Sequence, residues 1–328
     1  MKAFCKLTFD GSPSELVTNH LLSVAITLNS GGEPDKLSIK LTDPQADLPR
    51  PRGKAKVLVT LGYSENNKRQ FGPFMVDDYG SGKEEEESDV LEFTATSVDF
   101  NSKAKGRSTM THKNTTLGDI LKKEAANSDF ILEVSAELAA FPYEHFVRGE
   151  KSLIQMVGEL AGVHDAIEKY VGNKIIFMTR AGGVDIKGKP ITHSLGRSEL
   201  KAWGFKRNYR SEYKGVKAAY QDKKKGKRVV VKEQLDKGDA WYEHRKLFPT
   251  KKLAQTAAKS KTKQLKRKQK SLNITTKIGD VDILEQADLT FSEVSPDVDG
   301  VWSVTTVNHD YDAGEEAFQT SATLEPKE

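Results

Sequence analysis

The sequence predicts an α+β chain, mainly antiparallel β, with two β-barrel or sandwich domains separated by a small α/β insert. Three observations carry this prediction. Residues 1–100 alternate apolar and polar side chains in short runs bounded by Gly, Pro and Asp, with no helical periodicity between them. Helical patterns appear only near the middle, at 115–126 and 152–161, each opened by a Thr or Ser able to cap the first turn. From Ile191 the β pattern returns, interrupted by one lysine-rich helix at 251–270. The boundaries implied are 1–104, 105–190 and 191–328.

In the first domain, 4–9 and 21–28 read as strands, and Gly31-Gly32-Glu33-Pro34 breaks the chain before a cleanly alternating run at 35–43. A proline-rich turn at 44–51 leads to Gly53 and then to 57–63, a strand apolar enough for burial on both faces. Runs 71–79 and 91–98 form a hairpin around a polar tip at 82–88, whose four consecutive glutamates read as a solvated loop. In the insert, 163–166 and 172–178 read as strands joined by a short turn, and 180–190 reads as a linker. In the last domain, 200–209 and 215–221 are strands, and 222–227 turns into 229–231. The helix at 251–270 carries nine Lys/Arg and no acid, with Ala254, Ala257, Ala258 and Leu265 on its inward face. Strand-like runs at 274–283, 287–294, 299–311 and 318–324 close the chain.

Composition narrows the class. At 328 residues the chain has room for two or three domains with real cores. Its single cysteine, Cys5, excludes a disulfide framework built from this chain and suits a reducing compartment. No apolar run approaches the roughly 20 residues that span a bilayer, so no membrane insertion by this chain is expected. The N-terminus lacks the apolar core of a signal peptide.

The net charge of +4 hides strong segregation. Residues 201–270 hold 24 Lys/Arg against 6 Asp/Glu, whereas residues 271–328 hold 2 against 13. No aromatics interleave with the helix lysines, as stacking platforms for single strands would require. The complementary acid lies in the next segment. The basic block therefore reads as a solvated surface that meets acidic neighbours, not as a sequence-specific nucleic-acid site.

A search for chemistry returns no site. The seven histidines stand singly, with no pair at metal-ligand spacing on one helix face. His164 and Asp165 would point apart on a strand, and His309 shares a strand face with Tyr311 as a packed residue. Gly-x-Ser-x-Gly is absent, and no Gly-Lys-Ser/Thr follows the glycines at 182–183. No catalytic residue, cofactor, metal or small-molecule substrate is predicted. The chain reads as a building block and not an enzyme.

The order of several motifs resembles one family. These are the 35–43 strand, Pro51-x-Gly53 before Val-Leu-Val-Thr-Leu-Gly, Phe71-Gly72-Pro73-Phe74-Met75-Val76-Asp77, and Lys105-Gly106-Arg107-Ser108. Thr115-Thr116-Leu117-Gly118-Asp119-Ile120-Leu121, Ser152-Leu153-x-x-x-Val157-x-Glu159-Leu160-Ala161, and Asp299-Gly300-x-Trp302-x-Val304-x-x-Val307-x-His309-x-Tyr311 follow. Together they resemble the late control protein D family, the tail hub proteins of contractile-tailed temperate phages and phage-like bacteriocins. The hub part of type VI secretion spike proteins is more distantly similar.

The resemblance implies a homotrimer in the virion baseplate, assembled in the host cytoplasm, with two tail-tube-like β domains per subunit. It also implies partners: a trimeric spike, the tail tube protein, other baseplate proteins and the tape measure protein. Lys261, Lys263, Lys266, Lys268, Trp302 and Tyr311 are the candidate interface residues. A second resemblance competes for the insert, because Thr116-Leu117-Gly118-Asp119-Ile120-Leu121 is similar to the first helix of LysM modules, which have a two-helix, two-strand plan. On that reading the chain binds peptidoglycan; a tail-associated lysin is the third possibility.

Overall fold

The computed structural model describes residues 2–327 except 84–88, 100–101, 181–182, 184–189 and 236–237. The glutamate tip and most of the 180–190 linker lie outside the described residues.

The N-terminal part contains β1 (Phe4–Phe9), β2 (Ser12–Pro13), α1 (Glu15–Asn19), β3 (Leu21–Asn29) and β4 (Lys36–Thr42). It continues with β5 (Lys56–Ser64), β6 (Asn67–Gly82) and β7 (Val90–Thr96). The middle part has α2 (Ser102–Lys105), β8 (Thr111–Thr116), α3 (Leu117–Ala126), β9 (Ile131–Val134) and α4 (Ala136–Ala139). After these come β10 (Pro142–Val147), α5 (Leu153–His164), β11 (Ala166–Val171) and β12 (Lys174–Thr179). The C-terminal part holds β13 (Thr192–Gly196), β14 (Leu200–Arg207), β15 (Gly215–Asp222), β16 (Lys227–Gln234) and β17 (Trp241–Phe248). It closes with α6 (Lys251–Arg267), β18 (Lys270–Thr276), β19 (Asp288–Ser292), β20 (Gly300–Asp312) and β21 (Ala317–Pro326).

Alternation explains the main sheet. Along β3, Leu21, Val24, Ile26 and Leu28 are buried; along β4 the buried set is Leu37, Ile39 and Leu41. Each such side chain contributes roughly 1.5–3 kcal/mol when fully removed from water. Thirteen strands join in one sheet, ordered β14-β18-β21-β20-β3-β4-β7-β6-β5-β1-β2, with β19 pairing both β13 and β20. The N- and C-terminal halves meet where β20 lies antiparallel to β3, from Thr306 opposite Asn29 to Asp312 opposite Ser23. One apolar core, from Ala3 to Ala95 and from Leu195 to Leu324, fills this barrel lobe.

A second core lies outside it. It combines the middle part with Val216, Ala218 and Leu235 of the β16-β15-β17 sheet region and with Leu253, Ala254, Ala257, Ala258 and Leu265 of α6. The small alanine face lets α6 approach β15 closely, and α5 presents Leu153, Met156, Val157, Leu160 and Ala161. The packing units therefore cut across the boundaries 1–104, 105–190 and 191–328, because residues 215–265 leave the barrel lobe to cover the insert.

Local departures have local causes. The strand expected at 163–166 is the end of α5, which starts with a Ser152/Gln155 capping box and stops at Asp165 in the left-handed region, φ 52°. Asp tolerates that conformation better than most residues. Of the run 274–283, only its start belongs to a strand, β18. Gly279 N–H then donates to Phe318 O and Tyr63 Oη, and Asp282 N–H donates to Asp280 Oδ1, which bends the chain away. Strand β17 went unread because the polar run at 243–246 interrupts the apolar residues of Trp241–Phe248; it pairs parallel to β15. The insert also exceeds a two-helix, two-strand plan, with a β8–β10 pair and a separate β11-β12-β9 sheet.

Candidate interaction surface

Helix α6 begins at Thr250, whose side chain accepts from Leu253 N–H at 3.2 Å. With its alanine face buried, its lysines must emerge on the remaining arc. A helical step of about 100° per residue places 259, 263 and 266 along one line and 261 off it. Lys263 and Lys266 accordingly line a cleft of about 680 Å³ together with Arg207, Lys259, Lys270 and Lys327. Lys261 instead lies over the Tyr242 ring, 4.8 Å from its centre. Lys268 caps the helix C-terminus and lines a separate cleft of about 300 Å³ with Glu168, Arg180 and Glu325. The four candidate lysines thus do not form one surface, a division that helical phase alone could have revealed.

Trp302 and Tyr311 are interior residues. Trp302 is 4% exposed, donates Nε1–H to Val298 O at 2.7 Å and meets Phe205 edge-on. Tyr311 is 8% exposed and sits in the barrel core opposite Val24 and Phe318. Both hold β20 in place, and neither ring is available to a partner. Their aromatic-rich strand signalled packing, and sequence offered no way to tell inward from outward.

Sequence reasoning missed a buried ionic seam between the lobes. Lys169 on β11 pairs with Asp35 at 3.1 Å and with Glu285, and all three are largely buried. Burial pushes the Asp35 carboxyl up to about 6 against the pull of Lys169. Burial would lower Lys169, but Glu285 and Asp35 outweigh it and raise its pKa. On α6, Arg267 grips Asp165 with both terminal nitrogens and reaches Glu325 through Nε at 3.4 Å. Arg180 faces Glu325 at 3.7 Å. Backbone contacts complete the seam: Ser97 Oγ donates to Tyr170 O at 2.7 Å, and Gly172 N–H donates to Ser97 O. Gly31 makes the approach possible, since a Cβ there would lie 3.0 Å from Ile167 Cβ. Asp165 and Arg267 are 102 residues apart, so no linear spacing announces the pair.

The histidines pack singly or in structural clusters. His112 and Arg148 both bind the fully buried Glu124, at 2.8 and 2.7 Å. His164 Nε2 meets Tyr143 Oη at 2.7 Å, and burial lowers its pKa to about 4. His309, expected as a packed residue, is fully buried beside Thr320 Oγ1 at 2.9 Å, and burial lowers it to about 4 as well. Although adjacent, His164 and Asp165 use different partners. Among the described residues, no group of three or more His, Cys, Asp or Glu is placed to hold a metal ion, and no helix is long and apolar enough to cross a membrane.

No protein-family profile matches the chain. It is 25% identical over 224 residues to the probable baseplate hub protein of Escherichia phage 186, and 27% identical over 205 residues to that of Escherichia phage P2. These matches cover 67% and 62% of this chain but 57% and 52% of the phage proteins; the chain spans about half the length of the curated relatives it matches. Among solved structures, a tail protein from Neisseria meningitidis MC58 aligns over 99% of this chain and 97% of its own, with a TM-score of 0.73 at 14% identity. An Escherichia coli component of the type VI secretion system, described as structurally similar to phage T4 tail proteins, aligns over 98% of this chain and 77% of its own, with a TM-score of 0.62 at 10% identity. The mainly antiparallel α+β architecture is thus the fold of phage tail proteins.

Proposed function

We propose that this chain, which is similar to two probable phage baseplate hub proteins, is the structural hub that joins a six-fold tail tube to a three-fold spike in a contractile phage tail or phage-like particle. The observation that carries this reading is the single sheet to which the 1–104 and 191–328 segments each supply one half, joined edge to edge at β3 and β20. Two tube-like modules per subunit give six modules in a homotrimer. Such a ring meets a hexameric tube on one face and a trimeric spike on the other with matched symmetry operators. The role is mechanical: it seats the spike, nucleates tube polymerisation and holds neighbouring baseplate proteins and the tape measure protein in the virion.

The basic face of α6 then belongs on an outer or subunit-facing surface. Dense lysines along a DNA-conducting lumen would bind phosphate and retard passage. Of the interface candidates, the exposed Lys266 is the one we assign to that contact; Lys263 faces Asp165 at 3.9 Å and Lys261 covers the Tyr242 ring. Trimer interfaces of this permanent kind bury above roughly 2,000 Å². Single-particle electron microscopy of the purified protein, alone and with its spike, tests the reading. A three-fold ring with a central hole is expected; a monomer under both conditions would sink it.

A further inference from the structure

We propose that the cleft between α6, β14 and β16 binds an extended acidic peptide segment of a partner protein. The inference does not depend on the hub reading. Lys259, Lys266 and Lys270 are exposed and pair with no acid among the described residues, although all three line one cleft. Lys259 and Lys266 stand two turns apart on α6 and Lys270 opens β18, so three like charges face one cleft, a cost that a ligand bearing carboxylates would offset. The cleft also meets the C-terminal ends of two outermost strands, at Arg207 of β14 and at Glu233 and Gln234 of β16. Among the described residues β14 pairs only with β18, and β16 only with β15. Their outer edges carry unpaired N–H and C=O groups, the template on which an extended peptide adds as a strand. Half-buried Pro326 adds an apolar patch to the cleft wall, above the buried Leu235.

These features favour a peptide over nucleic acid. Among the described residues, the cleft lining contains no aromatic ring on which a base could stack. Glu233 stands on the β16 wall. A peptide can place a neutral or basic residue opposite it, whereas a phosphodiester chain carries charge at every step. Backbone pairing to strand edges needs regularly spaced amides, which only a peptide supplies.

The test uses the full chain and a fluorescein-labelled ten-residue peptide of alternating Glu and Val, titrated by fluorescence anisotropy. Two variants of equal charge change are compared: K259Q/K266Q/K270Q in the cleft, and K223Q/K224Q/K225Q in the exposed hairpin turn between β15 and β16. Binding is expected to weaken about tenfold in the cleft variant and to stay within about twofold of the parent in the hairpin variant. Peptide should also slow amide exchange in 200–207 or 227–234. Equal loss in both variants would show diffuse charge and overturn the proposal, as would an absence of binding. A thymidine oligonucleotide of equal charge binding more tightly, and losing that binding in the cleft variant, would replace it with a nucleic-acid site.

Discussion

The molecule makes two internal joins of opposite character. Where the barrel halves meet, β20 runs along β3 and buries Val307, Tyr311, Val24 and Ile26 beneath a ladder of backbone hydrogen bonds. Where the insert lobe meets the barrel, the apolar cores stay separate, and ionic contacts join them: Lys169 with Asp35 and Glu285, and Arg267 with Glu325. The first join gains stability from every side chain it buries. The second gains little net, because desolvating the charges offsets their attraction, but it penalises misalignment heavily, since a shifted partner leaves a buried charge alone. Cohesion and alignment are thus supplied by different chemistry.

The largest expected effect tests the seam. Lys169→Met leaves Asp35 and Glu285 buried without their cation and should cost about 3–5 kcal/mol in urea unfolding. Adding Asp35→Asn and Glu285→Gln should return most of that loss, while faster amide exchange at 31–35 and 166–171 reports loosened alignment. A single variant costing under about 1 kcal/mol would erase the distinction between the joins. At the ladder, Ile26→Ala should cost about 3 kcal/mol through lost burial and a cavity, with no compensating partner change available.

Acid sharpens the contrast next. His309 in the barrel core and His164 in the insert core are both held near 4, below the unfolded value of 6.5. Each contributes stability that is present above pH 6.5 and is lost as pH falls through about 4, on the order of 2–3 kcal/mol. Asp35, raised to about 6, works with the opposite sign: its contribution is present below about 4 and is lost as pH rises through 6. Thermal unfolding between pH 7 and pH 4 should therefore show falling stability, less steeply in His309→Gln. An unchanged pH slope in that variant would remove His309 from the account. The smallest effect is at α6, where Thr250→Ala should cost about 1 kcal/mol by removing the cap on Leu253 N–H.

Much of this protein could be read from its residues. Alternation marked β4, apolar density marked β5, Thr and Ser caps marked α3 and α5, and the alanine stripe of α6 named its inward face. Those signals are local: a period of two or 3.6, or a hydroxyl before a turn, depends on neighbours a few residues away. The order of motifs was enough to show a resemblance to phage tail hub proteins, and the charge segregation was enough to indicate a basic surface.

The remainder depended on contacts between distant parts of the chain. That β20 pairs with β3 across some 280 residues, that 215–265 cross over to cover the insert, and that Arg267 meets Asp165 are choices among many partners that local pattern leaves equivalent. The interior positions of Trp302 and Tyr311 belong here too, because an aromatic strand has two faces and only packing selects the buried one. Periodicity tells a strand that it has an inside; the rest of the fold determines what lies there.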